Sequence, residues 1–339
     1  MIKTGKSSVK FDNVYIKSTA VVTGPLEQEG PIGKYFDYSF GDIHCNEKTW
    51  EQAEMKIVEE SANIALTKAN LSYNNLDYIV GGDLNNQIAV TTYSYKKSYV
   101  PFLGVFAACS TLTLSMGLAS ILIEANLARN VLASTSSHNS TSERQFRYPT
   151  EYGGQKPESM TFTSTAGGAA IISNDKSNVK ISGITTGKII DVNQKDAQDM
   201  GRTMAPAAVI TLLEHLNDFN CTIDDYDLIV TGDLSTYGSQ IFIKCLKEHG
   251  INIENKHKDA GKELYDTKTQ DVYAGGSGCG CVAAYTLGYL ITELKKGNLN
   301  KVLVLATGAL LNPVMTAQKL TIPCISHAIC LERSSNDFS

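Results

Sequence analysis

Asn70-Leu-Ser-Tyr-Asn-Asn-Leu-Asp-Tyr-Ile-Val-Gly-Gly-Asp-Leu84 returns 150 residues later (220 − 70) as Asn220-Cys-Thr-Ile-Asp-Asp-Tyr-Asp-Leu-Ile-Val-Thr-Gly-Asp-Leu234. Asn70/Asn220, Asp77/Asp227, Ile79/Ile229, Val80/Val230, Gly82/Gly232, Asp83/Asp233 and Leu84/Leu234 are identical. Both windows read as a polar turn, a short apolar strand and a sharp turn at glycine. A second match lies downstream. Cys109 opens an apolar segment running to Asn130 and a strand, and Cys279 opens one running to Asn300 and a strand. The offset there is 170 (279 − 109). The second half therefore holds about 20 extra residues, which the repeat arithmetic assigns to the charged stretch Ile253–Asp271 as an insertion loop.

Each half reads helix, strand, loop, buried helix, strand, with halves at 1–180 and 181–339. A helix is expected over about 47–69, where Trp50, Ala53, Ile57, Ala65 and Leu66 fall at helical spacing. Its counterpart is expected over about 205–217, with Pro206 in the first turn. The segment after Cys109 is apolar or small nearly all round, which predicts a helix buried on all sides. Tyr78–Val80 and Val131–Ala133 are short apolar strands of a sheet covered on both faces. A layered α/β fold follows, with two buried helices in the middle.

The 339 residues carry a net charge of −5, with 42% apolar and 19% charged residues. Such a chain can build a large core and offers no bulk attraction to nucleic acid. No apolar run reaches the length of a membrane span, and residues 1–10 lack the apolar stretch of a secretory signal. Eight cysteines in so long a chain do not make a disulfide framework. Cys279-Gly-Cys281 is too tight for a zinc pair, and no metal or cofactor is expected.

Cys109, in Gly104-Val-Phe-Ala-Ala-Cys-Ser-Thr, is expected to begin the buried helix, where free N–H groups and the helix dipole favour a thiolate suited to acyl transfer. The plainer reading is a small buried thiol. Among other candidates, His215 reads as a helix-face residue, His249-Gly250 as a helix end, and His257 as solvated. Asp83 and Asp233 read as turn ties, and His44-Cys45 as structural.

The duplicated halves, Ala-Ala-Cys at one central helix and Gly275-Gly-Ser-Gly-Cys-Gly at its twin, resemble the thiolase and ketoacyl-synthase superfamily. The stretch His138-Asn-Ser-Thr-Ser-Glu-Arg-Gln-Phe-Arg-Tyr-Pro-Thr-Glu-Tyr-Gly-Gly-Gln-Lys-Pro157 narrows this. With Gly24-Pro-Leu-Glu, His44-Cys-Asn-Glu-Lys-Thr-Trp50, Met204-Ala-Pro-Ala-Ala208 and Ala306-Thr-Gly-Ala-Leu-Leu, it is similar to the stage V sporulation protein AD family of endospore-forming bacteria. The resemblance implies a thiolase-like fold in α/β/α/β/α layers. It also implies a pocket for dipicolinic acid (pyridine-2,6-dicarboxylate) or its calcium chelate, which the family helps to move into the forming spore. The implied partners are membrane subunits of the same operon, at the spore inner membrane, and a second copy in a homodimer. The family is not known as a condensing enzyme.

Thiolases and synthases surround the cysteine with His and His, or His and Asn, from loops of the second half. Here the loop Asp233-Leu-Ser-Thr-Tyr-Gly-Ser-Gln has no His, and Tyr273-Ala-Gly-Gly-Ser-Gly-Cys has neither. The C-terminal loop retains Cys324 and His327, and His327 is a further ligand-binding candidate. Cys109 therefore reads as an inherited nucleophile position at the floor of a ligand pocket, and the protein as a binder rather than an enzyme. For a flat dicarboxylate, Arg144, Arg147, Tyr148 and Lys156 offer charge and ring faces, and His138, Ser140 and Thr141 offer hydrogen bonds. The competing view places Arg144 and Arg147 in ion pairs with Glu143 and Glu151 in a surface or dimer-contact loop. Two functions compete with ligand binding: acyl transfer or condensation at Cys109, and a scaffold subunit of a spore membrane channel.

Overall fold

The computed structural model describes residues 2–146 and 156–334. In the first half, strands β1 (Tyr15–Thr23), β2 (Tyr78–Asp83), β3 (Phe102–Gly104), β4 (Asn130–Ser137) and β5 (Ala166–Ser173) lie in the spatial order β1-β5-β4-β2-β3. In the second, β6 (Val179–Thr185), β7 (Leu228–Thr231), β8 (His257–Asp259), β9 (Lys301–Ala309) and β10 (Cys324–Arg333) repeat it as β6-β10-β9-β7-β8. The half-sheets meet where β6 pairs with β1 at Lys180 and Tyr15. The chain passes from one to the other across residues 174–178, and the N-terminal strand Ser8–Lys10 pairs with β6 of the second half.

Helix α1 (Trp50–Lys68), capped by Thr49, and α2 (Ala89–Tyr95) cover the first half-sheet. Two further helices are α3 (Thr111–Glu124) and, past strand β4, α4 (Asn139–Phe146). Helices α5 (Met200–Phe219) and α6 (Ser235–Glu248) belong to the second half, where α5 packs on β9 and β10. Helix α7 runs as α-helix over Cys279–Ala283, as π-helix over Ala284–Leu290 and as α-helix again over Ile291–Lys296. Helix α3 touches strands of both half-sheets, and α7 packs beside it. These are the two central helices of a five-layered fold. The core joins their side chains, such as Leu112, Met116, Val282 and Leu287, to Val80, Val131, Val230 and Val304 of the strands.

Four expectations need correction. Pro206 sits inside α5, because Asp199 caps the helix six residues before Ala205, accepting from Arg202 N–H at 3.2 Å. Helix α3 is not buried all round: Leu114, Leu118, Ile121 and Leu122 are half-buried along one edge. The stretch 253–271 is not simply a loop. It supplies edge strand β8, parallel to β7, and a short helix, Ala260–Leu264, because Ile253, Ala260, Leu264 and Tyr265 are apolar anchors among its charges. His257, on that strand, is half-buried and bonded to Thr231 Oγ1 at 2.7 Å.

Candidate functional site

Cys109 lies two residues before α3, after Ala108, whose φ of +48° is costly for a residue with a Cβ. That turn aims the thiol across the molecule at Asp233, which follows β7 of the other half. Asp233 is fully buried. It accepts from Thr307 Oγ1 at 2.8 Å, from Gly278 N–H at 2.9 Å and from Ser277 Oγ at 3.3 Å, and the Cys109 thiol donates to it as well. Gly278 has φ of +98°, and a Cβ there would come within 2.7 Å of Ser137 Oγ, so glycine is required for this approach. Asp233 is thus more than a turn tie.

Burial and the neighbouring Asp233 carboxylate push the Cys109 thiol well above its ordinary range. The thiolate expected from the helix dipole is not favoured here: desolvation and a like charge outweigh the partial charge of a helix end. The twin cysteine of the second half is also buried, with a different partner. Cys279, whose thiol donates to Ser136 O at 2.8 Å, is likewise pushed up, by burial first and then by the charges of Glu54 and Asp83.

The thiol faces a cavity of about 50 Å³ lined mostly by apolar groups, among them Phe106, Phe146, Met200, Met204 and Leu311. Thr163 and Ser277 reach it from the two-stranded pair Phe162–Thr163 and Gly276–Ser277, and Ser142 from α4. The Ser142 hydroxyl is buried with no protein partner among the described residues. Leu84, Phe106, Phe146 and Leu311 also border a wider recess of about 320 Å³ that adds Asn85, Asn86, Gln145 and Asn312. No imidazole and no cation lines either space among the described residues.

The proposed ligand-binding residues fall in several places. His138 is buried, its Nε2 bonded to Ile43 O at 2.7 Å and its Nδ1 accepting from Ser140 N–H at 3.1 Å, and burial holds it neutral by lowering its pKa. Thr141 donates to Glu54 Oε2 at 2.8 Å. Ser140 is buried on α4, one turn from the cavity-lining Ser142 and Phe146. Arg144 pairs with Glu51 and lies over the Trp50 ring at 5.2 Å, not with Glu143. Glu143 instead pairs with Lys156 at 2.9 Å, whose ammonium also lies 5.8 Å from the centre of the Tyr273 ring. Arg147, Tyr148 and Glu151 lie outside the described residues; the undescribed stretch follows directly on Phe146. His327 lines a separate space of about 20 Å³ beside Leu114, Gly117 and Ile184.

Beneath α4, Glu54 accepts from Asn85 Nδ2, Ser136 Oγ and Thr141 Oγ1 at 2.8 to 3.0 Å, and burial and nearby Asp83 raise its pKa. This carboxylate joins α1, β4 and α4. Its only signal in the sequence is an acid on the apolar stripe of α1. Among the described residues no cluster of three or more His, Cys, Asp or Glu is placed to hold a metal ion, and no helix is long and apolar enough to cross a membrane.

The family model for stage V sporulation protein AD (SpoVAD) matches residues 5–332. Stage V sporulation protein AD of Bacillus subtilis (strain 168) is 46% identical over 332 residues, covering 98% of both chains. The chain belongs to the stage V sporulation protein AD family. Membership in that family carries a role in sporulation. Among solved structures, 3-oxoacyl-[acyl-carrier-protein] synthase III from Aquifex aeolicus VF5 is 15% identical, with TM-score 0.58 over 94% of this chain and 99% of that one. OleA from Xanthomonas campestris is 13% identical, with TM-score 0.62 over 95% and 99%. At such identities the likeness shows the thiolase-like fold alone. Within it, this SpoVAD family member places a carboxylate against Cys109.

Proposed function

We propose that this protein binds dipicolinic acid, alone or as its calcium chelate, without turning it over, and takes part in its uptake into the developing spore. The observation that carries the reading is the Cys109–Asp233 contact. A carboxylate that keeps the thiol protonated removes the nucleophile a condensation needs, and no imidazole lines the cavity among the described residues. What is left is a slot with Phe106 and Phe146 at its sides, suited to a flat ring. Charge for the carboxylates is assigned to Arg147, from the stretch beyond Phe146. Membrane subunits of the same operon would hold the protein peripherally at the spore inner membrane, as a homodimer.

Calorimetric titration with dipicolinate, with and without calcium, tests this on the full chain and on Arg147→Ala. Saturable binding that weakens in the variant supports it. Equal affinity sinks the assignment of Arg147, and no binding at millimolar ligand leaves a scaffold role standing. Because Cys109 still lines the cavity, acyl transfer is the second reading. Incubation with acyl-CoA followed by intact-mass measurement decides it: stable acylation at Cys109 favours the enzyme.

A further inference from the structure

On the far side of the second half, a cavity of about 470 Å³ opens between the N-terminal strands, β6, β10 and the end of α5. One wall is a row across three neighbouring strands: Lys180 of β6 lies opposite Glu332 of β10, and Glu332 opposite Lys301 of β9. Glu332 pairs with Lys301 at 3.0 Å. Lys10 and Asp12 add one charge of each sign to the rim. Among the described residues neither Lys10 nor Lys180 has a carboxylate within ion-pair distance, and with Lys301, Asp12 and Glu332 the lining sums to one net positive charge (3 − 2).

The back wall is Tyr226, whose hydroxyl ends a chain of buried hydrogen bonds. Ser8 Oγ donates to Asp218 Oδ2 at 2.7 Å. Ser8 has one proton, so Thr185 Oγ1, at 2.8 Å, donates to Ser8. Thr185 in turn has only an acceptor left for His215 Nδ1, also at 2.8 Å, so that nitrogen carries the proton. Nε2 is then the acceptor for the Tyr226 hydroxyl at 2.7 Å. The Tyr226 oxygen has spent its proton, so the Cys221 thiol, 3.6 Å away, donates to it, and one lone pair remains. Thr4 Oγ1, on the same cavity, is buried without a protein partner among the described residues. A buried relay that fixes one phenol as a pure acceptor, facing a roomy cavity with two unpaired ammonium groups, has the make-up of a binding site rather than of packing.

We propose that this cavity is a second ligand site, taking a small oxyanion, carboxylate or phosphate, that also carries a hydroxyl. The anionic head meets Lys10 and Lys180, and the hydroxyl donates to the Tyr226 oxygen. The site is independent of the Cys109 cavity and of the reading placed on it.

Citrate, which carries a hydroxyl, and sulfate, which at neutral pH carries none, titrated separately by calorimetry against the full chain, are the probes. Binding of either supports the site, provided that Lys10→Gln with Lys180→Gln weakens it about tenfold or more. Both lysines are at or near the surface, so the double variant folds, and its thermal unfolding checks this. Tyr226→Phe should weaken citrate and leave sulfate, which carries no hydroxyl at neutral pH, unchanged. Failure of both probes at millimolar concentration, unchanged affinity in the double variant, or equal loss of both probes in Tyr226→Phe overturns the proposal.

Discussion

The Cys109 thiol of the first half donates to the Asp233 carboxylate of the second, whereas its twin Cys279 donates to Ser136 O and is pushed up by burial, with Glu54 and Asp83 adding to it. Cys109 is therefore a thiol, not a thiolate, at neutral pH. Alkylation by iodoacetamide, followed by mass spectrometry of the Cys109 peptide, should be slow. Asp233→Asn removes the like charge, the smaller cause after burial, and should speed alkylation severalfold at mildly alkaline pH while burial still holds the thiol up. Fast alkylation of the wild type would contradict the geometry.

Glu54 holds Asn85, Ser136 and Thr141 beneath the cavity-lining helix. Glu54→Ala strands the buried Asn85 and Ser136 donors, while Thr141 keeps His138 O at 3.0 Å, and should cost about 3 kcal/mol in denaturant unfolding. Glu54→Gln, which keeps an acceptor, should cost less. An alanine variant as stable as the wild type would show that the stranded donors find other partners.

Gly278→Ala places a methyl against Ser137 in a left-handed conformation and displaces the N–H that Asp233 accepts. A loss of about 2 kcal/mol or more is expected by thermal or denaturant unfolding, with faster alkylation of Cys109 as the Asp233 contact loosens.

The repeat, the two halves and the central helices were legible because Asp-x-Ile-Val-x-Gly-Asp-Leu recurs and because a strand covered on both faces must be apolar. Pro206 misled because proline favours first turns, whereas Asp199 starts the helix earlier. The site was half legible. Cys109 stood out by its apolar surroundings, but its partner did not. Asp233 looked like its twin Asp83, and only the crossing of the halves in space makes one of them the neighbour of Cys109. His215 read as a helix-face residue because its partners, Thr185 and Tyr226, come from other elements.

His215 gives a pH signature. Burial holds its pKa at about 3 in the folded protein, below the ordinary 6.5. Between these values the unfolded chain takes up the proton and the folded one does not, so stability is full above 6.5 and falls as the pH drops towards 3. His257 and His327, both held at about 4, act in the same direction. From about pH 7.5 to about pH 5, His215 should account for about 2 kcal/mol of lost stability, which His215→Gln removes from the slope in urea unfolding.

Arg144 is engaged by Glu51 and the Trp50 ring, away from the cavity. Arg144→Ala should leave dipicolinate affinity unchanged in calorimetry, in contrast to Arg147→Ala. A matching loss in both variants would bring Arg144 to the ligand after all.

The π-helical stretch of α7 keeps a record of how the halves diverged. Paired strand residues such as Tyr78/Val131 and Leu228/Val302 place β9 171 residues after β4 (302 − 131), while Cys279 follows Cys109 by 170. One more residue therefore lies between cysteine and strand in the second half than in the first. A turn closed by i→i+5 bonds holds one residue more than an α-turn, so Ala284–Leu290 takes up the surplus inside the helix. The insertion is absorbed inside the helix: Cys279 keeps its bond to Ser136 O, and the following strand keeps its register with β7. Deleting one residue there should return the helix to plain α-geometry and bring the second half nearer to the length of its twin.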